Sequence, residues 1–230
     1  MIRFGEWTRS GSVTPKSLQT GLSGAEESYS TDTFHEVLAT YDGVDTDGLR
    51  RHLIDFLSEV VLVAENLGMT LCCHPYDPPF PLLGVLRIMS SEADYGWLIK
   101  TMVSSAVGIT LCFGSLGVLT ENDLPGTMQR LGTHVHFLLL RNVRRETMGE
   151  KIPFHEAEHL DGESDMVALI VAILKEEARR CSFIPFRPDL RQEILSDLGS
   201  NPQPGYLAIR RLKGLAELRV IEAALSQTIR

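Results

Sequence analysis

The chain has 230 residues, of which 43% are hydrophobic, so it is long enough for one large domain or two small ones with a substantial core. Its 30 acidic and 22 basic side chains give a net charge of -8, which disfavours non-specific binding to nucleic acid or anionic lipid. No apolar run reaches the roughly 18 residues of a membrane span, and the N-terminus lacks the apolar stretch of a signal peptide. We therefore expect a cytoplasmic protein that binds neither nucleic acid nor membrane.

Helices and strands are predicted to alternate from residue 46 onward. Apolar residues at three- and four-residue intervals predict an amphipathic helix that Thr46 or Asp47 caps and Gly68 ends. Further helices are predicted within 92–103, 121–132, 164–180 (capped by Ser164) and 205–228, and strands within 69–74, 108–114, 134–143 and 181–189. The strands are apolar throughout and separated by helices, which is typical of a parallel sheet covered on both faces. The sequence therefore predicts an α/β fold.

Polar side chains stand where the predicted strands end, at the edge of the sheet that carries the active site in parallel α/β proteins. In "LCCHPYDPPFP", residues 71–81, the apolar run ends at His74 and a proline-rich loop follows. Cys112 ends the second strand, Arg141 and Asn142 the third, and Asp189 the fourth. Histidine, cysteine and carboxylate at one edge are ligand types of a divalent transition metal. The alternative is that these are the ordinary polar residues of any α/β domain.

The stretch "HEAEH", residues 155–159, matches the H-E-x-x-H pattern of zinc peptidases, in which two histidines one helical turn apart hold zinc. That mechanism needs a helix. Pro153 precedes the stretch closely, and "DGES" at 161–164 predicts a turn and a new helix cap. We therefore expect a loop histidine that reaches the site, or a solvated one, rather than a peptidase centre.

Several strings, in the same order, resemble the mannonate dehydratase family. They are "LSGAEESYS", "LVAENLGMTLCCHPYDPP", "GITLCFGSLGV", "ENDLP", "FHEAEHLDG", "SDM", "IPFRPD" and "PGYLAIRRLKGLAELR". The resemblance runs from about residue 21 to the end. It implies a xylose-isomerase-like (β/α)8 barrel that uses Mn²⁺ or Fe²⁺. It also implies removal of water from D-mannonate to give 2-keto-3-deoxy-D-gluconate in hexuronate (glucuronate) catabolism.

The resemblance also implies roles for single residues. The metal-binding positions of the family fall on His74, Cys112 and Asp189, and the tyrosine of its proton-transfer step falls on Tyr206. We expect the substrate carboxylate to meet one or more of Arg141, His155 and Arg187. An arginine suits that role because its fork matches a carboxylate, whereas a surface salt bridge is the common alternative.

The chain departs from the family pattern at several of these positions. The fourth metal ligand, a histidine, falls on Leu139, and strand alternation predicts that His136, three residues earlier, points to the opposite face. The histidine that acts with the tyrosine falls on Leu190, and one carboxylate of the proline-rich loop is replaced by Tyr76. Asp77 keeps the neighbouring carboxylate. Each change affects the chemistry that the resemblance implies.

The resemblance starts partway along the family pattern, so we expect a partial TIM-barrel-like domain. Residues 21–230 would hold four to five βα units with parallel strands and lack the first strands, after an irregular segment over residues 1–20. An open barrel exposes strand edges, which favours a homo-oligomer. Two functions remain open: a mannonate dehydratase-like hydro-lyase with impaired activity, or a catalytically inactive truncated homologue that at most binds metal or a sugar acid.

Overall fold

A computed structural model describes residues 39–81, 85–146, 154–189 and 208–228. Four parallel strands form a sheet, helices cover it, and a two-stranded antiparallel ribbon adjoins it. The helices are α1 Thr46–Asn66, α2 Glu92–Thr101, α3 Phe113–Leu116, α4 Leu124–Leu131, α5 Met166–Arg180 and α6 Ala208–Ser226. The strands are β1 Leu71–Cys73, β2 Val107–Cys112, β3 Val135–Leu140, β4 Asn142–Arg145, β5 Phe154–Ala157 and β6 Phe186–Pro188.

Helix α1 confirms the first predicted element. Its buried side chains follow the spacing of one helical face: Leu49, Leu53, Leu57, Val61 and Ala64. The cap is Asp45, one residue before the predicted candidates, because its carboxylate accepts a hydrogen bond from the Gly48 amide at 2.7 Å. Gly68 follows the helix with a φ of 64°, a left-handed conformation that favours glycine.

The main sheet has the order β1-β2-β3-β6, and all of its neighbouring strands are parallel. Every residue of β2 is buried, as expected for a central strand with both faces covered. Because the four strands run in one direction, their carboxyl ends lie at one edge of the sheet. The predicted α/β class with parallel strands is therefore confirmed.

The third strand is shorter than predicted, since β3 ends at Leu140 and Asn142 begins β4 in the separate ribbon. The Asn142 side-chain amide donates to the carbonyl oxygens of His159 at 2.8 Å and Ser164 at 2.9 Å. Those bonds turn the chain away from the sheet. The partner strand β5 contains part of "HEAEH", so that stretch lacks the helix a zinc peptidase needs.

Helix α5 begins one residue later than predicted. Asp165 caps it by accepting a hydrogen bond from the Ala168 amide at 2.9 Å, whereas Ser164 is bonded through its backbone to Asn142. Helix α6 lies within the predicted last helix and buries Gly214 and Leu218. None of the described helices combines the length and hydropathy needed to cross a membrane.

Glycine at position 108 is required by the contact between β2 and β3. An added Cβ would lie 2.3 Å from both the His134 carbonyl oxygen and the His136 ring. We expect Gly108→Ala to lower the free energy of unfolding by about 1–3 kcal/mol in urea denaturation. The matched control is Gly96→Ala in α2, where a Cβ meets nothing within 4 Å. Gly96→Ala should raise the free energy of unfolding by up to about 1 kcal/mol. Equal effects of the two substitutions would contradict the close contact between β2 and β3 at Gly108.

Candidate functional site

The side chains of His74 and Cys112 meet at the carboxyl edge of the sheet, because His74 directly follows β1 and Cys112 ends the adjacent strand β2. The two are joined by a hydrogen bond. The His74 Nδ1 atom lies 2.6 Å from the Pro75 carbonyl oxygen, which only accepts, so Nδ1 donates and Nε2 is left to face the thiol. The Cys112 Sγ atom also lies 3.2 Å from the Ser115 hydroxyl.

Each member of this pair favours the charged form of the other. Burial alone would raise the pKa of the Cys112 thiol, but the hydrogen bond and charge of His74 and the charge of Arg141 outweigh it, and the pKa is lowered. Burial alone would lower the pKa of His74, but its hydrogen bond to Cys112 and the charges of Cys112 and Asp77 raise it. The arrangement therefore favours an imidazolium beside a thiolate.

Leu139, an aliphatic residue, occupies the position predicted to correspond to the fourth metal ligand. Leu139 pairs with Cys112 on one side and Arg187 on the other in the strand register, and it is 6% exposed. Asp189 directly follows β6, and its position two residues after Arg187 places it on the same sheet face. Leu139 therefore stands in the row between Cys112 and Arg187, next to Asp189, and its side chain has no lone pair to offer a metal ion.

The Asp189 carboxylate is held by two arginines. Arg211 Nη2 lies 3.3 Å from its Oδ1 atom, and Arg187 Nη2 lies 3.6 Å from its Oδ2 atom. Within the described ranges, no three His, Cys, Asp or Glu side chains gather as a group that could hold a metal ion. The structure thus brings His74 and Cys112 together and leaves Asp189 at the same edge, paired with cations. The imidazole, thiolate and carboxylate types still suit a divalent transition metal chemically.

A buried ion triad lies beside this pair. The Arg141 guanidinium donates to Asp77 Oδ2 at 2.5 Å and to Glu156 Oε2 at 2.9 Å, and its side chain is 4% exposed. The charges of Asp77 and Glu156 outweigh burial and raise the pKa of Arg141 further above its ordinary range. Both partners engage the guanidinium, so it serves here as a clamp between the proline-rich loop, the end of β3 and β5. Its expected contact with substrate stays a prediction.

His155 and Glu156 are adjacent on β5 and point to opposite faces. Glu156 faces Arg141, whereas His155 Nδ1 lies 3.1 Å from Glu146 Oε1. The structure therefore does not bring His155 to the His74–Cys112 pair. Arg187 is 46% exposed and stands near Asp189. Two positions named from the sequence, Tyr206 and Leu190, lie outside the described residues.

The expectation for His136 is corrected by a register shift between Ile109 and Thr110. The His136 ring lies against Gly108, which is on the same face of β2 as Cys112 because their spacing is even. His136 still cannot replace the missing ligand, since Gly108 is near the start of β2 and Cys112 is at its end.

Sequence reasoning missed Glu156 and Arg211 as parts of the site. Glu156 lies within the peptidase-like stretch, and the alternation of side chains along a strand is the signal that separates it from His155. Arg211 lies in α6 and reaches Asp189 across 22 residues of sequence, and no local pattern indicates such a contact.

The parallel sheet and its helices are similar in fold to xylose-isomerase-like TIM barrels. The structure of such a protein from Mycobacterium smegmatis, in complex with magnesium, has a TM-score of 0.56 and 17% identity, covering 79% of this chain and 53% of that one. The mannonate dehydratase structure from Streptococcus suis serotype 2 has a TM-score of 0.77 and 23% identity, covering 93% and 58%. At these identities the likeness concerns the fold.

Sequence comparison identifies the family. The profile of D-mannonate dehydratase (UxuA) matches residues 9–230. The mannonate dehydratase of Rhizobium meliloti (strain 1021) is 48% identical over 231 residues, which cover 97% of this chain. The chain belongs to the mannonate dehydratase family, as the resemblance implied. It spans 58% of the length of that relative.

Removing the centre of the buried triad should destabilise the fold. Arg141→Met leaves the Asp77 and Glu156 carboxylates buried without this cation, and we expect a loss of about 3–5 kcal/mol in urea denaturation. Arg144→Met is the matched control, since its side chain is 48% exposed and pairs with the exposed Asp161. That change should cost less than about 1 kcal/mol. Similar losses for both variants would argue against a buried clamp.

The thiolate of Cys112 should form below the ordinary thiol range. The measurement is the ultraviolet absorbance of the thiolate in metal-free protein, and the part that Cys112→Ser removes belongs to Cys112. We expect that part to titrate with a midpoint below 9.0, and we expect His74→Ala to raise this midpoint. Cys73→Ser is the internal control, because burial raises the pKa of Cys73 to about 12. The pKa of Cys112 is lower in the folded than in the unfolded protein. Ionisation of Cys112 therefore stabilises the fold at pH values above the ordinary thiol pKa, and this stabilisation is lost as the pH falls through the folded pKa. A titration midpoint that is unchanged by His74→Ala would contradict the pairing of His74 with Cys112.

Proposed function

We propose that this chain is a metal-dependent hydro-lyase that removes water from D-mannonate to give 2-keto-3-deoxy-D-gluconate. The observation that carries the proposal is the His74–Cys112 contact at the carboxyl edge of the sheet, in a chain of the mannonate dehydratase family. A sugar acid is the substrate class implied by the family. The relative from Rhizobium meliloti bears the name mannonate dehydratase and is 48% identical.

The proposed cofactor is Mn²⁺ or Fe²⁺, held by His74, Cys112 and Asp189. A divalent ion there would polarise substrate oxygens and stabilise developing negative charge. Support comes from the donor types and from their common sheet edge. Arg211 would remain as an outer partner of the Asp189 carboxylate, which is a usual way to orient a metal ligand.

Dehydration of a sugar acid needs both an acid and a base, since a proton leaves the carbon beside the carboxylate and hydroxide leaves the next carbon. We assign the proton-transfer role to Tyr206, as the family resemblance implies. Arg187, which is 46% exposed near Asp189, is a proposed contact of the substrate. Leu190 and Leu139 replace two family histidines, so we expect slow turnover.

A second candidate is a non-catalytic protein that binds metal or a sugar acid. The observation that favours it is Leu139, which occupies the row between Cys112 and Arg187 and cannot coordinate an ion. The two candidates differ in turnover and agree on binding. Both place the ligand at the same sheet edge.

We further propose that the reaction serves hexuronate breakdown in the cytoplasm and that the chain forms a homo-oligomer. Support for self-association comes from α1, where Phe56, Val63 and Leu67 share one side of the helix and are 58%, 58% and 66% exposed. Burial of such a stripe against a second copy would remove apolar surface from water. Light scattering on the purified chain measures the oligomeric state.

Metal binding should depend on the proposed ligands. We expect His74→Ala and Asp189→Asn each to weaken Mn²⁺ binding by at least about tenfold in titration calorimetry. Cys72→Ala is the matched control, because Cys72 adjoins the site in sequence and is exposed. Equal Mn²⁺ affinity in all variants would place the ion elsewhere.

Turnover separates the two candidates. With Mn²⁺ and D-mannonate, we expect keto-deoxygluconate to form at a rate at least about 100-fold below that of a full-length relative, because a proton-transfer histidine is replaced by Leu190. Mannonate binding without any product would establish the non-catalytic candidate. A rate equal to that of the full-length enzyme would show that Leu139 and Leu190 do not limit the reaction.

A further inference from the structure

Arg87 has an unusual environment at the edge of the site. Its guanidinium carbon lies 4.5 Å from the centre of the Tyr76 ring, so the cation stacks on an aromatic face. The side chain is half-buried. No carboxylate pairs with it among the described residues.

The other buried or half-buried arginines in the described part of the chain each have a carboxylate partner. They are Arg50, Arg141, Arg145, Arg180, Arg210 and Arg211. Partly buried charges are normally paired, because removal from water is unfavourable without a counter-charge. Arg87 is therefore the exception among the buried and half-buried arginines of the described residues.

Arg87 is a cation at neutral pH, because a guanidinium keeps its proton. Burial lowers the pKa of Arg87 despite the opposing influence of Tyr76, Tyr41 and Asp77. The Asp77 carboxylate is bonded to Arg141. The Nε atom of Arg87 is buried and has no hydrogen-bond partner among the described residues, so one donor of the guanidinium is unsatisfied.

Arg87 is attached to the loop that carries the candidate site. The Tyr76 amide donates to the Met89 carbonyl oxygen at 3.0 Å, which ties the segment of Arg87 to the loop that begins at His74. The Tyr76 ring that the guanidinium stacks on belongs to the same loop, two residues after His74.

We propose that Arg87 binds the carboxylate of the sugar acid and so selects acids over neutral sugars. This rests on the proposed function, which supplies the anionic substrate class. Stacking on Tyr76 fixes the plane of the guanidinium and leaves its N–H edges able to donate two parallel hydrogen bonds to a carboxylate. Arg141 is less suited, because two carboxylates already engage it.

The test is titration calorimetry with D-mannonate, and with mannitol as the neutral analogue, in the presence of Mn²⁺. We expect Arg87→Met to weaken mannonate binding by about 10- to 100-fold, as for loss of a charged hydrogen-bonded pair, and Arg87→Lys to lie between it and the wild type. Mannitol binding should be weak and equal in all variants. Arg50→Met is the matched control, since Arg50 stacks 4.8 Å from the Trp97 ring but pairs with Asp94 at 2.9 Å.

Thermal unfolding tells a binding role from a structural one. Removal of a half-buried charge that has no counter-charge should leave the melting temperature of Arg87→Met equal to or above that of the wild type. A fall in melting temperature with unchanged mannonate affinity would overturn the inference and make Arg87 a packing residue. Turnover is measured separately: binding that depends on Arg87 without any dehydration would refute the proposed reaction and keep the inference. Absence of mannonate binding by the wild type would overturn it.

Discussion

The Arg141 guanidinium lies between two carboxylates and connects three segments of the chain beside the candidate site. Arg141 stands at the end of β3, and its partners Asp77 and Glu156 are 64 and 15 residues away in sequence. Because a charge buried this deeply is tolerated only with its counter-charges, each of the three segments requires the other two. Glycine at position 114 belongs to the same contact, since a Cβ there would lie 2.3 Å from the Arg141 side chain.

The triad also sets the electrostatics of the neighbouring pair. The charge of Arg141 favours the Cys112 thiolate, and the charge of Asp77 favours the His74 imidazolium. Helix α6 brings further cations to the same region, with Arg210 paired to Glu158 and Arg211 to Asp189. The arginines of this region, Arg141, Arg210 and Arg211, are thus each balanced by at least one carboxylate.

The replacement of a family ligand by Leu139 bears on catalysis more than on folding. Its side chain is buried in the row between Cys112 and Arg187, where an apolar residue packs without strain on the sheet. The remaining donors are an imidazole, a thiol and a carboxylate, and the last is paired with arginines. On the proposed metal site, we therefore expect ligand binding to be retained more fully than turnover.

Much of the fold was predictable because it depends on local periodicity. The spacing of Leu49, Leu53 and Leu57 determined α1, and uniformly apolar strands between helices determined a parallel sheet, whose carboxyl edge then had to collect His74, Cys112 and Asp189. The end of β3 was not predictable, since "LLLRNV" is continuously strand-like. The Asn142 side chain decides it through bonds to residues 17 and 22 positions later.

The sequence by itself determined which chemical groups stand at the sheet edge and which family supplies their pattern. Only the tertiary structure decided which group each charge meets: Arg141 with two carboxylates, Asp189 with Arg211, and Arg87 with a neutral ring. The reason is physical. Periodicity acts over one or two turns of chain, whereas an ion pair is set by the folded positions of segments that no local pattern relates.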